Sequence, residues 1–531
     1  MATGTKTLFL SLAILLPAVG LTSMEHPRAP GDFPNTSTAD PGPANNVYGP
    51  AHPEVQALQN DLEAILRATG NRNGRWGVLA VSLDQHDTLL ALNARQPMVP
   101  ASNVKVLTTA AALHYLGPDF RYRTFLLASG PLDQAVLSGD LVLYGTGDPT
   151  LSERFFPSET AVLDSLARQI AHRGIREVRG DLVVDGSFFR GPELHPSWDP
   201  KDLNDAFAAP VAAVSLAENL VTVRVEAGSW IGAQPSIYTV PDAAGIPLEN
   251  VARTVDPGRR SRVWLFREAP TDPIGIEGEI PLGGSDVWRE LPVPDPLRFT
   301  GIQLERALSR HGVNLSGNLR IVRDPEASRI TGNPTFVDGT TSAPPKILAV
   351  QSSPPLLEIL TVVNKESNNF LAESVLKTVG RVATGDGSFE GGSRAVGRFL
   401  VGEVGVPPEQ VQLRDGSGLS EENLISPGVF VQTLKYLSAS PYWDVFLGTL
   451  PEAGVRRELR RMYSSPAAQN LRAKTGTMNG VSALSGMVRT RSGERILFSI
   501  LANDLASEYR AKRAEDQLGI RLASLTRPWP S

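Results

Sequence analysis

The chain has 531 residues, of which 41% are hydrophobic and 20% charged, and its formal net charge is −5. These values are typical of a globular protein of about two to four domains and disfavour wholesale disorder. The near-neutral charge, with no basic run between aromatic residues, argues against nucleic acid as a partner. The sequence contains no cysteine, which excludes disulfides, thiol nucleophiles and cysteine-ligated metals.

The N-terminal region has the pattern of an export signal. Lys6 precedes an uncharged stretch with an apolar core over residues 8–21, which predicts a signal peptide over 1–24. An uncleaved membrane anchor is the alternative, and Pro17 and the short apolar length argue against it. Residues 25–53 are rich in proline and predict a disordered tether. We therefore expect an exported protein with no stable membrane insertion after the signal is cleaved.

Apolar spacing predicts two regions with helices and hairpins, separated by a long β-rich region. The elements expected before residue 119 are a helix over 54–69, a hairpin with strands 76–83 and 88–92, and a helix over 103–116. Residues 119–340 contain short β-rich runs among Gly and Pro turns, at 141–144, 182–184, 220–225 and 262–266. The elements expected after about residue 345 are helices over 356–366, 370–379, 391–404 and 427–438, a hairpin with strands 480–490 and 495–502, and a last helix over 507–524.

Several common catalytic signatures are missing from the sequence. None of the seven histidines stands in a metal-ligand spacing such as H-E-x-x-H, so a zinc hydrolase is not expected. Gly416-Ser417-Gly418 lacks the G-x-S-x-G spacing of a nucleophile elbow. The sequence also has no G-x-x-x-x-G-K-[ST] phosphate loop. It predicts neither a metal site nor an organic cofactor.

A different nucleophile pattern starts the helix predicted over 103–116. Ser102-Asn103-Val104-Lys105 is an S-x-x-K, whose serine and lysine share one helix face. Burial would depress the lysine pKa and let the amine take the serine proton, while free N–H groups at the helix start could stabilise an oxyanion. Alone the motif is weak, since roughly two chance matches are expected in a chain of this length.

Two further motifs follow in the order and local structure that such chemistry requires. Ser367-Asn368-Asn369 is an S-x-N between two predicted helices, and Lys474-Thr475-Gly476-Thr477 opens the last predicted hairpin. A K-T-G is expected by chance only about 0.1 times in such a chain. The S-x-N would supply a second hydroxyl and an amide. The K-T-G would supply a strand edge for an extended peptide and a cation for its carboxylate.

The three motifs together resemble the signature of the serine penicillin-binding proteins and β-lactamases. The 265 residues from Ser102 to Ser367 exceed what the compact β-lactamases carry there. The layout is similar to the D-alanyl-D-alanine carboxypeptidase/endopeptidase family, the low-molecular-mass class C penicillin-binding proteins. The other stretches that match this family are 147–151, 185–189, 208–219, 370–373 and 415–420.

The resemblance implies an α/β (α+β) fold with a split catalytic domain. A serine transpeptidase/β-lactamase-like domain, with an antiparallel sheet flanked by helices, would comprise residues 57–118 plus 345–531. A large β-rich insertion of one or two subdomains would divide it. The first inserted domain would comprise 119–205 plus 291–344, and a second, over 206–290, would be nested within it.

The resemblance also implies roles for individual residues. Ser102 would be the acylated nucleophile, Lys105 its general base and Ser367 a proton relay, with the backbone N–H groups of Ser102 and Thr477 as the oxyanion hole. The implied substrate-binding residues are Asn369, Lys474, Thr475, Gly476, Thr477, Met478 and Asp202. Asp202 would pair with the amino group of a diaminopimelate side chain, or it is a solvated acid in a charged run. Met478 would line the pocket or pack in the core.

The implied reaction is acyl transfer on peptidoglycan peptides ending in D-Ala-D-Ala, in the periplasm or cell-wall space of a bacterium, with β-lactams as inhibitors. Glu421 stands where the family usually has Arg, which puts substrate preference in doubt. Two alternatives stay open: a β-lactamase or esterase on the same fold, and a non-catalytic scaffold that binds the cell wall. The sequence shows no dedicated deacylating Glu for the first, and the intact motifs argue against the second. It does not indicate an oligomeric state.

Overall fold

The computed structural model describes residues 53–69, 73–243, 245–269, 272–330 and 346–528. The predicted signal peptide lies outside the described residues, as does the predicted tether except for Pro53, which begins the first helix. Within these ranges no helix combines the length and the apolar character needed to cross a membrane.

The described residues contain α-helices and short to medium β-strands. The helices are α1 (Pro53–Ala68), α2 (Val104–Tyr115), α3 (Ala161–His172), α4 (Pro296–Arg310), α5 (Leu356–Lys365), α6 (Asn369–Thr384), α7 (Phe389–Phe399), α8 (Pro427–Ser438), α9 (Trp443–Thr449) and α10 (Glu508–Ala523). The strands are β1 (Arg75–Ser82), β2 (Thr88–Leu92), β3 (Arg123–Ala128), β4 (Leu132–Asp133), β5 (Val136–Leu137), β6 (Leu141–Gly145), β7 (Glu177–Val178), β8 (Leu182–Asp185), β9 (Leu220–Glu226), β10 (Ser236–Val240), β11 (Leu248–Asn250), β12 (Arg253–Val255), β13 (Arg262–Phe266), β14 (Ile274–Pro281), β15 (Val287–Pro292), β16 (Asn314–Leu315), β17 (Leu319–Val322), β18 (Lys346–Ser352), β19 (Val411–Gln412), β20 (Leu424–Ile425), β21 (Arg472–Met478), β22 (Val481–Arg489) and β23 (Arg495–Asn503).

A five-stranded antiparallel sheet joins the two ends of the chain, in the order β2-β1-β23-β22-β21. Its central strands are buried on both faces because helices cover both. Leu484 and Phe498 belong to the core that includes α1 and α10, whereas Ala483 and Leu497 belong to the core that includes α2 and α8. The expected antiparallel sheet flanked by helices is confirmed.

A second five-stranded sheet lies in the middle of the chain, in the order β17-β8-β6-β3-β18. α3 and α4 pack against each other and share its core. The sequence analysis did not predict these two helices within the β-rich region. β18 pairs with β3, so the strand that follows residue 345 adds to this sheet rather than to the sheet that ends in β21. A small sheet in the order β16-β7-β5-β4 lies in the same region.

Strands β9 to β15 form two smaller sheets between the halves of that region. One has the order β10-β9-β15, and in the other β14 pairs with β11, β12 and β13. Val221, Val223 and Val225 of β9 are buried while the residues between them are partly exposed, the alternation of a strand with one face on a core. The domain boundaries drawn from the sequence remain a prediction.

Candidate active site

The first candidate residue, Ser102, lies in a 3-10 turn, Ala101–Asn103, that leads directly into α2. Ala101 has a φ of +46°, a left-handed conformation that is uncommon for residues other than glycine and costs conformational energy. Gly418 passes so close that a Cβ on it would collide with the carbonyl oxygen of Ala101. The loop around Gly418 therefore supports the turn that carries Ser102.

Lys105 contacts Ser102 from one helical turn further along the chain. Its side chain is fully buried, and its Nζ lies 3.1 Å from Ser102 Oγ, 2.7 Å from Asn369 Oδ1 and 2.7 Å from the carbonyl oxygen of Ser417. Burial lowers the pKa of Lys105 to about 7, against the opposing charges of Glu373 and Asp415. A neutral amine has two N–H donors and one lone pair. The two carbonyl oxygens can take both donors, which leaves the lone pair for the Ser102 hydroxyl proton.

A second hydroxyl–lysine pair completes the cluster. Lys474 is fully buried, and its Nζ donates to Ser367 Oγ at 3.0 Å and to the Thr475 carbonyl at 2.8 Å. Burial and the charge of Lys105 hold the pKa of Lys474 well below its usual value. Ser367 has a φ of +59°, so its hydroxyl, like that of Ser102, is held next to a strained backbone.

The two asparagines of the S-x-N motif connect α6 to the insertion. Asn368 caps α6 by accepting from the Leu371 N–H at 2.9 Å, and its Nδ2 donates to Glu218 Oε2 at 2.7 Å. Asn369 donates to the carbonyl of Phe207 at 2.9 Å. The insertion therefore contributes two acceptors that orient the motif.

The K-T-G motif lies on β21, the last strand of the sheet order. A Cβ on Gly476 would lie 2.8 Å from the Pro100 carbonyl oxygen, so only glycine lets this strand pack beside the Ser102 turn. Thr477 is exposed and Met478 half-buried at the end of β21. The sequence analysis placed this motif at the opening of the hairpin formed by strands 480–490 and 495–502. In the structure the motif lies on a separate strand, β21, which pairs with β22.

Two buried carboxylates hold the Gly418 loop, and the sequence analysis assigned neither a role. Glu373 accepts from the N–H groups of Gly416 at 2.9 Å and Ser417 at 2.7 Å, and burial with the charge of Asp415 raises its pKa to about 8. Asp415 accepts from the N–H groups of Gly418 and Ser420, from Asn423 and from the Trp198 indole. Both lie in stretches that match the family, but their partners become visible only in three dimensions.

Asp202 lies apart from this cluster, in the 3-10 turn Pro200–Asn204. Within the described residues its side chain makes no hydrogen bond to the catalytic motifs. Partial burial, then the charges of Asp199 and Asp205, raise its pKa, and Glu421 contributes in the same direction. Asp202 and Glu421 thus belong to one acidic surface, and their role with substrate stays a prediction.

In the part of the chain that the structure describes, no three His, Asp or Glu side chains are grouped closely enough to hold a metal ion. The site is instead a serine hydroxyl beside a buried amine at the start of a helix, against an edge strand. This arrangement on an antiparallel sheet flanked by helices defines a serine hydrolase of the transpeptidase/β-lactamase type.

The chain belongs to the D-Ala-D-Ala carboxypeptidase 3 (S13) family, which it matches over residues 58–525. It is therefore a serine-type peptidase, and the predicted family and enzyme class are confirmed. The sequence is 31% identical over 477 residues to a D-alanyl-D-alanine carboxypeptidase of Actinomadura sp. (strain R39), covering 88% of this chain and 84% of the relative. It is 30% identical over 522 residues to carboxypeptidase DacB of Mycolicibacterium smegmatis, covering 95% and 92%.

The fold resembles that of penicillin binding protein 4 (dacB) from Haemophilus influenzae. The TM-score is 0.74 at 24% sequence identity, over 88% of this chain and 100% of that chain. The likeness therefore extends through the insertion as well as the catalytic sheet, and it confirms the predicted fold class.

Proposed function

We propose that the protein cleaves D-Ala-D-Ala peptides of peptidoglycan through an acyl-enzyme on Ser102. The observation that carries this proposal is the placement of the buried Lys105 amine, with its pKa near 7, within hydrogen-bond reach of the Ser102 hydroxyl. Lys105 takes the proton as Ser102 Oγ attacks the carbonyl of the penultimate D-alanine. The backbone N–H groups of Ser102 and Thr477 stabilise the oxyanion.

The second half of the cycle uses the Ser367–Lys474 pair. Ser367 passes a proton to the departing amine, which leaves as D-alanine or, in a crosslink, as the amine of the neighbouring peptide. The proton that Lys105 took from Ser102 replaces it on Ser367, so Lys105 is neutral again. Water then attacks the ester on Ser102, Lys105 accepts a proton from this water and returns it to Ser102 Oγ, and the acid product is released. Support for the relay comes from the 3.0 Å contact between Lys474 Nζ and Ser367 Oγ.

Substrate recognition follows from the position of β21. An extended peptide adds to the edge strand by backbone pairing, with its terminal carboxylate near Lys474 and Thr477. Asn369 holds a substrate amide, and Thr475, Gly476 and Met478 line the strand. The acidic surface of Asp202 and Glu421 suits a peptide with a free amino group on its side chain.

β-Lactams acylate the same serine and are released slowly. The protein acts outside the cytoplasm, in the periplasm or cell-wall space, where peptidoglycan is accessible. The sequence pattern of residues 1–24 supports export.

The test uses defined muropeptides and a fluorescent penicillin with wild type, Ser102→Ala, Lys105→Ala and, as a matched control, Ser438→Ala on the exposed end of α8. Wild type and control should release D-alanine and bind the label, and Ser102→Ala should do neither. Lys105→Ala should slow both by about 10²–10⁴-fold. Undiminished labelling of Ser102→Ala, or rapid β-lactam turnover without peptide cleavage, would overturn the proposal. Product identification separates carboxypeptidase from endopeptidase action.

A further inference from the structure

The sheet β10-β9-β15 exposes aromatic side chains on its outer face. Tyr238 is 50% and Trp288 55% exposed; Trp230 and Trp264 are exposed as well, whereas Trp76 and Trp198 are buried. Exposed aromatic residues grouped on one surface of a soluble protein commonly mark an interaction site. Nothing in the acyl-transfer chemistry requires aromatic residues at this place.

Strand register places these side chains in one line. Tyr238 lies opposite Arg224, which lies opposite Trp288. The Arg224 guanidinium is 5.3 Å from the centre of each ring. The two rings stand on strands that flank β9, so they are about 10 Å apart, twice the spacing of neighbouring strands. We call Tyr238, Arg224 and Trp288 the aromatic row.

Carboxylates hold the aromatic row in place and border it. Arg224 bonds Asp286 at 2.6 Å and Glu226 at 3.3 Å. Glu290 follows two residues after Trp288 and therefore points to the same face of the sheet. The arginine is thus fixed between the rings before any ligand arrives, which reduces the entropy lost on binding.

The chemistry of this face fits a neutral chain of sugars. The C–H face of a pyranose ring is apolar and packs on a flat aromatic ring, while its hydroxyls require acceptors and donors around that ring. Three carboxylates against one arginine would repel an anionic lipid surface. Because a guanidinium separates the two rings, the row lacks the continuous apolar surface found at the centre of a stable protein interface.

We propose that the aromatic row binds the glycan strand of peptidoglycan, an inference that rests on the proposed function for the identity of the polymer. β15, which carries Trp288, contacts the turn Ala206–Ala208, and the Phe207 carbonyl of that turn accepts the bond from Asn369. The row and the cleft therefore belong to one connected structure. A glycan held on the row raises the local concentration of its own stem peptides at Ser102.

Binding is tested with the full chain and two neutral probes: N-acetylglucosamine hexamers, and peptide-free glycan strands whose lactyl carboxyls are converted to amides, as they are where a stem peptide is attached. The variants are Tyr238→Ala/Trp288→Ala and, as a matched control, Trp264→Ala, which removes an equally exposed tryptophan from β13. By calorimetry the double variant should bind at least about tenfold more weakly, the loss expected for two ring contacts. The control should bind like wild type. Far-UV circular dichroism and thermal melts check that each variant is folded.

Activity on two substrates separates this inference from the proposed function. D-alanine release from a soluble sugar-free pentapeptide reports on the cleft alone, and release from intact sacculi reports on cleft and row together. The ratio of sacculus rate to pentapeptide rate should fall about tenfold in the double variant and stay constant in Trp264→Ala. If wild type binds glycan but cleaves neither substrate, the proposed function is contradicted. The aromatic row would still be a sugar-binding surface.

Three results would overturn the inference. The first is a wild type that binds neither probe, and the second is a double variant that binds as tightly as wild type. The third is a double variant that has lost vesicle binding or self-association instead of glycan binding, since the row would then be a membrane or dimer surface.

Discussion

At the scale of single residues, the site depends on two buried ionisable groups that burial shifts toward their neutral forms. Burial lowers the pKa of Lys105 to about 7 and raises that of Glu373 to about 8. Around pH 7 Glu373 is therefore largely protonated. It holds the Gly418 loop by hydrogen bonds and does not place a full negative charge beside Lys105.

Replacing Glu373 by Gln should lower the acylation rate and leave its pH dependence in place. The amine is active when deprotonated, so acylation rises with pH through the pKa of Lys105. Glu373 is largely protonated in that pH range, so a neutral amide leaves the Lys105 pKa nearly unchanged. The maximal rate falls about tenfold, because the amide nitrogen of Gln cannot accept one of the two N–H bonds from Gly416 and Ser417 and the loop shifts. The measurement is the acylation rate by a penicillin across the pH range around 7.

Glu515→Gln is the matched control for this experiment. Glu515 is equally buried and accepts from Arg461 at 3.0 Å and Ser482 at 2.6 Å, where α10 packs on the sheet. Its replacement should cost stability and leave the acylation rate of the folded enzyme unchanged. A Glu373→Gln enzyme that acylates as fast as wild type would contradict the assigned role.

The sequence made the motif residues visible because their spacing is local. Ser102 and Lys105 are three residues apart on one helix face, and Lys474 stands in a short motif that rarely occurs by chance. Glu373 and the Ser417 carbonyl could not be assigned in the same way. Their partners are 43 or more residues distant along the chain. Every residue has a backbone carbonyl, so the residue type does not indicate which carbonyl accepts a hydrogen bond.

At the scale of elements, the Gly418 loop supports the start of α2. Gly418→Ala should place a methyl group against the Ala101 carbonyl and shift the Ser102 turn. A displacement of this kind costs on the order of 10²-fold in acylation rate. The measurements are the acylation rate and the melting temperature.

Gly385→Ala is the control that separates the conformational cost of a positive φ from the collision of a new Cβ with the Ala101 carbonyl. Gly385 has a similar positive φ, +76° against +83°, but no atom would lie within 4 Å of its Cβ. Both variants pay about 1–2 kcal/mol for a left-handed residue, and only Gly418→Ala should lose acylation. An equal loss in both would show that general destabilisation, not the contact, is responsible.

The cap of α6 offers a second test of an element. Asn368→Ala removes the cap and the bond to Glu218 and should cost about 1 kcal/mol. Ser388→Ala removes the equivalent cap of α7, a 2.9 Å bond to the Gly391 N–H, at a similar cost. Melting temperatures should fall alike, while only Asn368→Ala slows acylation, by about tenfold or more, because Ser367 and Asn369 adjoin it. Equal acylation in the two variants would exclude a positioning role for Asn368.

Periodicity located most of the elements near the site. The bounds of β2, β13 and α8 agree with the prediction, since apolar spacing and turn residues delimit them locally. α3 was missed although Val162, Leu163, Leu166 and Ile170 have helical spacing, a signal that surrounding turns and strands obscured. The pairing of β18 with β3 depends on tertiary contacts, and no local pattern assigns a strand to one of two sheets.

At the scale of the whole molecule, the insertion contributes to the catalytic cleft. Arg154 of the insertion bonds Glu218 at 2.5 Å and also pairs with Glu366, next to Ser367. Glu218 in turn accepts from Asn368. These contacts join the inserted region to the S-x-N motif.

Arg154→Ala should therefore affect activity more than stability. The ion pairs are partly exposed, so their loss should change the unfolding free energy by no more than about 1 kcal/mol. D-alanine release should fall severalfold, because Glu218 and Glu366 lose the cation that holds them beside the motif. Arg310→Ala breaks a comparable pair with Asp164 inside the insertion and should leave the rate unchanged. A rate loss in both, or in neither, would argue against a specific link through Arg154.

The pairing of β1 with β23 has a consequence for the order in which the enzyme assembles. Arg75 lies opposite Asn503, so nearly the whole chain must be synthesised before this sheet can close. Such a large loop slows formation of the sheet, while the contacts within the insertion can form earlier. Ser102 thus emerges first among the candidate catalytic residues, together with Lys105, whereas Ser367 gains its partner Lys474 on β21 only near the end. Peptidase activity should therefore begin only when the last strands of the sheet have paired.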